Sequence, residues 1–309
     1  MAAVSNVLKR GFATTSVKNV IKNVTVIGGG LMGSGIAQVA AQAGQTVTLV
    51  DLNADILKKS ETSIQNSISR VAKKIHKDDA TASQKFVTET FSRIKFNADP
   101  LQNLAEADLV VEAIVENIDI KHKLFKSLDD AAPQKTIFAS NTSSLSIGQI
   151  ASVTKRKDRF AGLHFFNPVA IMKLLEVIRI PETSEETYQA VMAWGKSVGK
   201  TCITCKDTPG FVVNRLLVPY LAESIKLYER GDASAQDIDT AMKLGAGYPM
   251  GPLELADYTG LDTCLFILDG WNKKYPGNPL FESPQILRKL VKEGKLGRKT
   301  GEGFYNYKK

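Results

Sequence analysis

The sequence predicts an α/β chain in two parts: an N-terminal doubly wound, mostly parallel sheet with an inserted helical hairpin, and an all-α C-terminal domain. Three observations predict it. Apolar β-type runs recur at 24–27, 46–50, 109–115, 136–140, 160–166 and 174–180, with a weaker one near 201–205, and helical patterns fall between many of them. Strands alternating with helices pair in parallel through crossovers. From Phe211 onward only helical patterns remain. The first strand also runs directly into Gly28-Gly29-Gly30-Leu31-Met32-Gly33, a glycine spacing that joins a strand to a helix.

That turn predicts a dinucleotide site. Gly28, Gly30 and Gly33 stand in the order G-x-G-x-x-G, an apolar helix follows through Ile36, Val39 and Ala40, and Asp51 ends the next strand. The first glycine permits the tight turn and the second lets backbone approach a pyrophosphate. The third lets helix and strand pack closely, and the helix N-terminus offers N–H groups to the phosphates. A carboxylate at Asp51 accepts from ribose hydroxyls and repels a 2′-phosphate, which favours NAD over NADP. The first domain is therefore a Rossmann-like, NAD-binding unit, placed at residues 23–206.

Within it, Leu57, Ile64, Ile68, Val71 and Ile75 step at helical spacing from Asp55 to about His76, and a second helical stretch covers about 82–92. Together they form the inserted hairpin. Ser67 and Lys74, seven apart, share a stripe beside the core face; on spacing alone this stripe is either a solvated face or an anion contact. Asp207-Thr208-Pro209-Gly210 reads as a hinge with Pro209 suited to a first helical turn, and residues 207–309 form the helical domain. An amphipathic helix is expected from Phe211 to about Arg230, ended by Gly231, with Pro219 inside it expected to kink it or locally free a carbonyl. Further helices start near Ser234, where Asp237 follows in capping-box style, and near Glu254 and Ser283.

Composition narrows the function classes. The 309 residues carry a net charge of +8, but the basic residues are scattered among acids with no basic stripe, so a small anionic substrate fits better than nucleic acid. No apolar stretch approaches the ~20 residues needed to span a bilayer. Residues 1–22 hold Lys9, Arg10, Lys18 and Lys22, several hydroxyl residues and no acid. This is the composition of a mitochondrial transit peptide, and it predicts a matrix address. The three cysteines form no disulfide framework, and Cys202-x-x-Cys205 lies in a β-rich stretch, where packing explains it better than redox chemistry. No cluster offers metal ligands.

Of the three histidines, His76 and His122 fall in lysine-rich helical contexts and read as solvated. His164 stands in the apolar run Phe160-Ala-Gly-Leu-His-Phe-Phe-Asn-Pro168, near a strand's C-terminal end, and Glu176 lies in the next apolar run. A buried imidazole and a buried carboxylate each need a partner, and adjacent strands can supply them to one another. Such a pair is a general-base dyad, in which the carboxylate orients the imidazole and stabilises the imidazolium.

The glycine turn, Ser140-Asn-Thr-Ser-Ser-Leu145, Gly162-Leu-His-Phe-Phe-Asn-Pro168 and Asp207-Thr-Pro-Gly-Phe-Val-Val-Asn-Arg215 resemble 3-hydroxyacyl-CoA dehydrogenases. So do Gly245-Ala-Gly-Tyr-Pro-Met-Gly-Pro252 and Gly301-Glu-Gly-Phe-Tyr305. The match runs in order from about residue 22 to the end and is nearest to the mitochondrial, single-function members. The resemblance implies NAD-dependent oxidation of (S)-3-hydroxyacyl-CoA to 3-oxoacyl-CoA in fatty-acid β-oxidation. It assigns His164 as general base, Glu176 as its orienting carboxylate, and Ser143 and Asn214 as substrate oxygen contacts. Cofactor positions implied are Gly28, Gly29, Gly30, Leu31, Met32, Gly33, Asp51, Glu116, Lys121, Ser143, Asn167 and Lys299. Ser67 and Lys74, with Ser143, match contacts to the CoA substrate. A homodimer through the helical domain is implied as well.

Three other readings compete. A related enzyme could act on 3-hydroxybutyryl-CoA or on a small free hydroxy acid, against which the leader and the Ser67/Lys74 stripe favour an acyl-CoA. A non-catalytic relative would have no need of His164, Glu176, Ser143 and Asn214. The large bifunctional hydratase–dehydrogenase is expected to be excluded by length.

Overall fold

The computed structural model describes residues 21–102 and 104–308. The predicted leader falls almost wholly on residues 1–20, outside the described residues. The chain divides into two compact units. The first comprises the residues up to Val115, His122–Asn141 and Val153–Ile203, and the second Glu116–Lys121, Thr142–Ser152 and Thr204–Lys309.

The sheet has eight strands in the order β3-β2-β1-β4-β5-β6-β7-β8 among the described residues. They are β1 Asn23–Ile27, β2 Thr46–Val50, β3 Ile94–Asn97, β4 Leu109–Glu112, β5 Ile137–Ser140, β6 Phe160–Phe165, β7 Leu174–Arg179 and β8 Thr201–Lys206. β1 to β6 pair in parallel, and β7 turns back antiparallel to β6. The strand order reverses beside β1, the switch point at which open α/β sheets gather ligands. Val26, Leu49, Val111, Ala139 and Leu163 are buried in one core with Ile36 and Ala40 of α1, Leu31–Gln42. Such near-continuous apolar strands are what a sheet covered on both faces requires. β3 is absent from the sequence expectations because Ile-Lys-Phe-Asn is short and half polar. The run expected over 109–115 pairs only to Glu112, where the backbone leaves the ladder.

The hairpin consists of α2, Ala54–Ile75, and α3, Ala80–Ser92. Asn53 and Asp79 cap their N-termini with side-chain oxygens, and Ile64, Ile68 and Ala72 are the buried stripe of α2. His76 and His122 are half-buried rather than solvated, and His76 lies 5.8 Å from the Phe86 ring. The remaining helices of the sheet region are α4 Ile118–Ala131, α5 Ile147–Ala151 and α6 Glu185–Ser197.

The C-terminal segment folds into α7 Val213–Glu229, α8 Ala235–Gly245, α9 Pro252–Thr259, α10 Leu261–Lys274 and α11 Gln285–Lys292. Their core includes Leu221, Ile225, Leu253, Leu268 and Trp271. Ser234 caps α8 by accepting from Asp237 N at 3.1 Å, as the capping-box spacing predicts. One expectation is corrected: α7 starts at Val213, not Phe211. Gly210 and Phe211 both take positive φ, 75° and 53°, so Pro209 lies in a turn ahead of the helix. No helix among the described residues is long and apolar enough to cross a membrane.

Candidate active site

In the first unit, β6 and β7 place His164 directly opposite Glu176 in the antiparallel register. Opposite residues of such a pair share a face, so the two side chains meet. His164 Nδ1 and Glu176 Oε2 lie 2.7 Å apart, with the residues 5% and 0% exposed. A carboxylate on Nδ1 holds the proton there and leaves the basic role to Nε2. The Phe166 ring lies 4.5 Å from the imidazole, walling it on an apolar side. Asn167, predicted as a cofactor contact, is exposed in the segment that leaves β6.

The glycine turn meets the demands of a dinucleotide cradle. Gly28 has φ 109°, and a Cβ there would come within 2.5 Å of Ala113 O. A Cβ on Gly33 would stand 1.8 Å from Gly28 O, so only glycine lets α1 approach the strand. At Gly30, by contrast, a Cβ would meet nothing within 4 Å. That opening faces away from protein at the position where backbone must approach pyrophosphate. Helix α1 begins after Gly30 with no side-chain cap, which suits an N-terminus meant for an anion. Asp51 accepts from Gly29 N at 2.8 Å and from Asn53 N at 2.9 Å, joining the predicted ribose carboxylate to the glycine turn. Ser67 is half-buried and Lys74 exposed, two turns apart on α2.

The second unit gathers other predicted residues. Glu116 accepts from Ser143 N at 3.0 Å and pairs with Lys121 Nζ at 3.3 Å. The hydroxyls of Thr142 and Ser144 donate to the same carboxylate at 2.5 and 3.0 Å. Burial alone would raise the Glu116 pKa, but the Lys121 charge and these donors together hold it below the usual carboxylate value. Asn214 Nδ2 donates to Ser143 O at 3.5 Å, bringing together the two predicted substrate contacts. Lys299 is paired with Asp262 at 2.5 Å, which keeps the Asp262 carboxyl below its ordinary value despite some desolvation.

Four supporting residues carry no site role in the sequence reading. Glu112 Oε1 accepts from Ile114 N and Oε2 from Ser140 Oγ at the ends of β4 and β5, and its signal was a carboxylate closing an apolar strand, as at Asp51. Asp207 accepts from Ser146 Oγ and from the N–H groups of Ile147 and Gly148, capping the Ser143 segment's short helix α5. Thr142 and Ser144 had only their place beside Ser143 to mark them. Cys202 and Cys205 lie on β8, and burial pushes the Cys202 thiol pKa up, against a reactive thiolate. Among the described residues no group of three or more His, Cys, Asp and Glu is placed to hold a metal ion.

Comparison with known proteins identifies the family. The family model for the 3-hydroxyacyl-CoA dehydrogenase NAD binding domain matches residues 23–208, and that for the C-terminal domain matches residues 210–307. The mitochondrial hydroxyacyl-coenzyme A dehydrogenase of Homo sapiens is 60% identical over 297 residues, covering 96% of this chain and 95% of its own. A probable 3-hydroxyacyl-CoA dehydrogenase of Caenorhabditis elegans is 58% identical, covering 97% of each. Among solved structures, (S)-3-hydroxybutyryl-CoA dehydrogenase PaaH1 from Ralstonia eutropha superposes with TM-score 0.88 at 42% identity, covering 94% of this chain and all of that one. The chain belongs to the 3-hydroxyacyl-CoA dehydrogenase family and is an NAD-dependent oxidoreductase.

Proposed function

We propose that the protein oxidises (S)-3-hydroxyacyl-CoA to 3-oxoacyl-CoA in mitochondrial fatty-acid β-oxidation, with His164 as general base oriented by Glu176. The observation that carries this reading is the buried 2.7 Å contact of His164 Nδ1 with Glu176 Oε2. NAD⁺, when bound, supplies the hydride acceptor. The glycine turn, Asp51, Glu116, Lys121, Ser143, Asn167 and Lys299 hold it. His164 Nε2 takes the proton from the substrate 3-hydroxyl as C3 loses its hydride, and the Glu176 carboxylate balances the imidazolium that results. Ser143 and Asn214 donate hydrogen bonds to substrate oxygen as its charge changes. Ser67 and Lys74 contact the phosphates of coenzyme A, for which a lysine point charge is suited.

The basic, acid-free composition of residues 1–22 and the mitochondrial relatives support a matrix address. Exposed Leu216, Leu244 and Phe266 support a homodimer through the helical domain, since an isolated chain leaves them 69%, 83% and 65% exposed. The deciding assay follows NADH absorbance with acetoacetyl-CoA beside free acetoacetate. NADH loss with the thioester alone is expected; equal turnover of the free acid would remove the coenzyme A contacts from the reading. His164→Gln should lower kcat by about two orders of magnitude or more with NADH affinity nearly unchanged. Wild-type turnover in that variant would end the general-base role.

A further inference from the structure

The strands that carry His164 and Glu176 are joined by residues 166–173, and this connection is held from the start of β8. Lys200 is buried, and its ammonium donates to the main-chain carbonyls of Val169 and Met172, the latter at 2.7 Å. The next residue continues the seam, with Thr201 N donating to Lys173 O at 2.7 Å. The turn is closed internally by Pro168 O, which accepts from Ile171 N and Met172 N, both at 2.9 Å. On its other side Val169 is packed against α1, where a Cβ on Gly35 would come within 2.7 Å of the Val169 side chain. Lys200 Nζ also lies 5.9 Å from the ring centroid of Phe165, the neighbour of His164.

We infer that Lys200 is a positioning residue for the reaction: its two hydrogen bonds clamp the 168–172 turn between β8 and the cofactor helix α1. The clamp fixes where Asn167 and His164 stand relative to the glycine turn. This rests on the reading of His164 and Glu176 as the catalytic pair and of Asn167 as a cofactor contact. Burying an amine is costly, and burial with the nearby Lys173 charge lowers the Lys200 pKa to about 8. A methionine would fill the same space without that cost but would leave the carbonyls of Val169 and Met172 without their donor, so the lysine is there for the turn it holds. A neutral amine still has two N–H donors, enough for both carbonyls.

The test compares Lys200→Met, which keeps the volume and removes the donors, with Lys200→Arg, which restores them. In the reduction of acetoacetyl-CoA by NADH, Lys200→Met should lower kcat about tenfold and raise KM for NADH several-fold, while KM for acetoacetyl-CoA stays within about twofold, because small displacements of reacting groups carry large rate costs. Lys200→Arg should bring kcat and the NADH KM back to within about threefold of the parent. A folded Lys200→Met enzyme with parental kcat and NADH KM, whatever its melting temperature, would overturn the proposal. If that variant does not fold, Lys200→Ala takes its place, since its cavity admits water to both carbonyls, with the same expected split and the same overturning result. His164→Gln measured alongside separates the two ideas. Parental turnover there defeats the dyad reading itself, whereas its collapse beside a parental Lys200→Met defeats only the clamp.

Discussion

Asp51 shows how one side chain serves two ends. Its carboxylate holds Gly29 N and Asn53 N, so it shapes the glycine turn and the start of α2 in addition to the ribose contact proposed for it. Asp51→Ala should therefore weaken NAD⁺ binding and narrow the preference over NADP⁺. Asp51→Asn should keep more of the turn while losing the charge that repels a 2′-phosphate. Titrating both dinucleotides against each variant checks this, and an unchanged NAD⁺/NADP⁺ ratio in both would remove Asp51 from the ribose site. At this scale, residues that break a pattern were the legible ones. Asp51 closes an apolar strand, and His164 and Glu176 interrupt apolar runs, so burial of a charge announces itself. Lys200 follows Gly199 at the end of a helix, where a lysine ordinarily reads as solvated. Its burial depends on carbonyls contributed some thirty residues earlier, at Val169 and Met172. Nothing in its own neighbourhood of sequence records that.

Elements were legible where their period was long. The hairpin helices and the capping box at Ser234 follow from local spacing, and so does the glycine turn. Boundaries were less so: α7 begins two residues late because Gly210 and Phe211 adopt left-handed backbone, and the Trp271 ring, 2.5 Å from where a Gly210 Cβ would stand, leaves no room there for a side chain. The glycine turn gives a sharp test of packing. Gly33→Ala puts a methyl against Gly28 O, so α1 must move away from β1. Overpacking of this kind costs about 1–3 kcal/mol. The variant should melt at lower temperature and lose NADH binding, measured by fluorescence titration. Retention of full affinity would show that the turn tolerates a wider helix–strand spacing than its contacts imply.

For the whole molecule, titration of Lys200 links pH to stability. Its folded pKa is about 8 against an ordinary 10.5, so between those values the unfolded chain binds more protons at this position. Stability should therefore rise with pH across that window, and below about pH 8 the cost of the buried charge is present in full. Urea unfolding at pH 8 and pH 10 should show a gain in the parent that Lys200→Met lacks; parallel behaviour of the two would remove Lys200 as its source. The proposed homodimer is tested at the same scale. Sedimentation should report twice the chain mass, and Leu244→Asp with Phe266→Asp should move it toward a single chain; a mass unaffected by both would place the interface elsewhere. Finally, His164 and Glu176 lie only twelve residues apart along one antiparallel hairpin, in a sheet otherwise built by long crossovers. The pair thus forms a self-contained cassette, indifferent to the order in which the remaining strands are threaded. A circular permutant opened in the exposed turn at residues 77–79, between α2 and α3, should keep the cassette whole, while one opened at residues 170–172 would sever it.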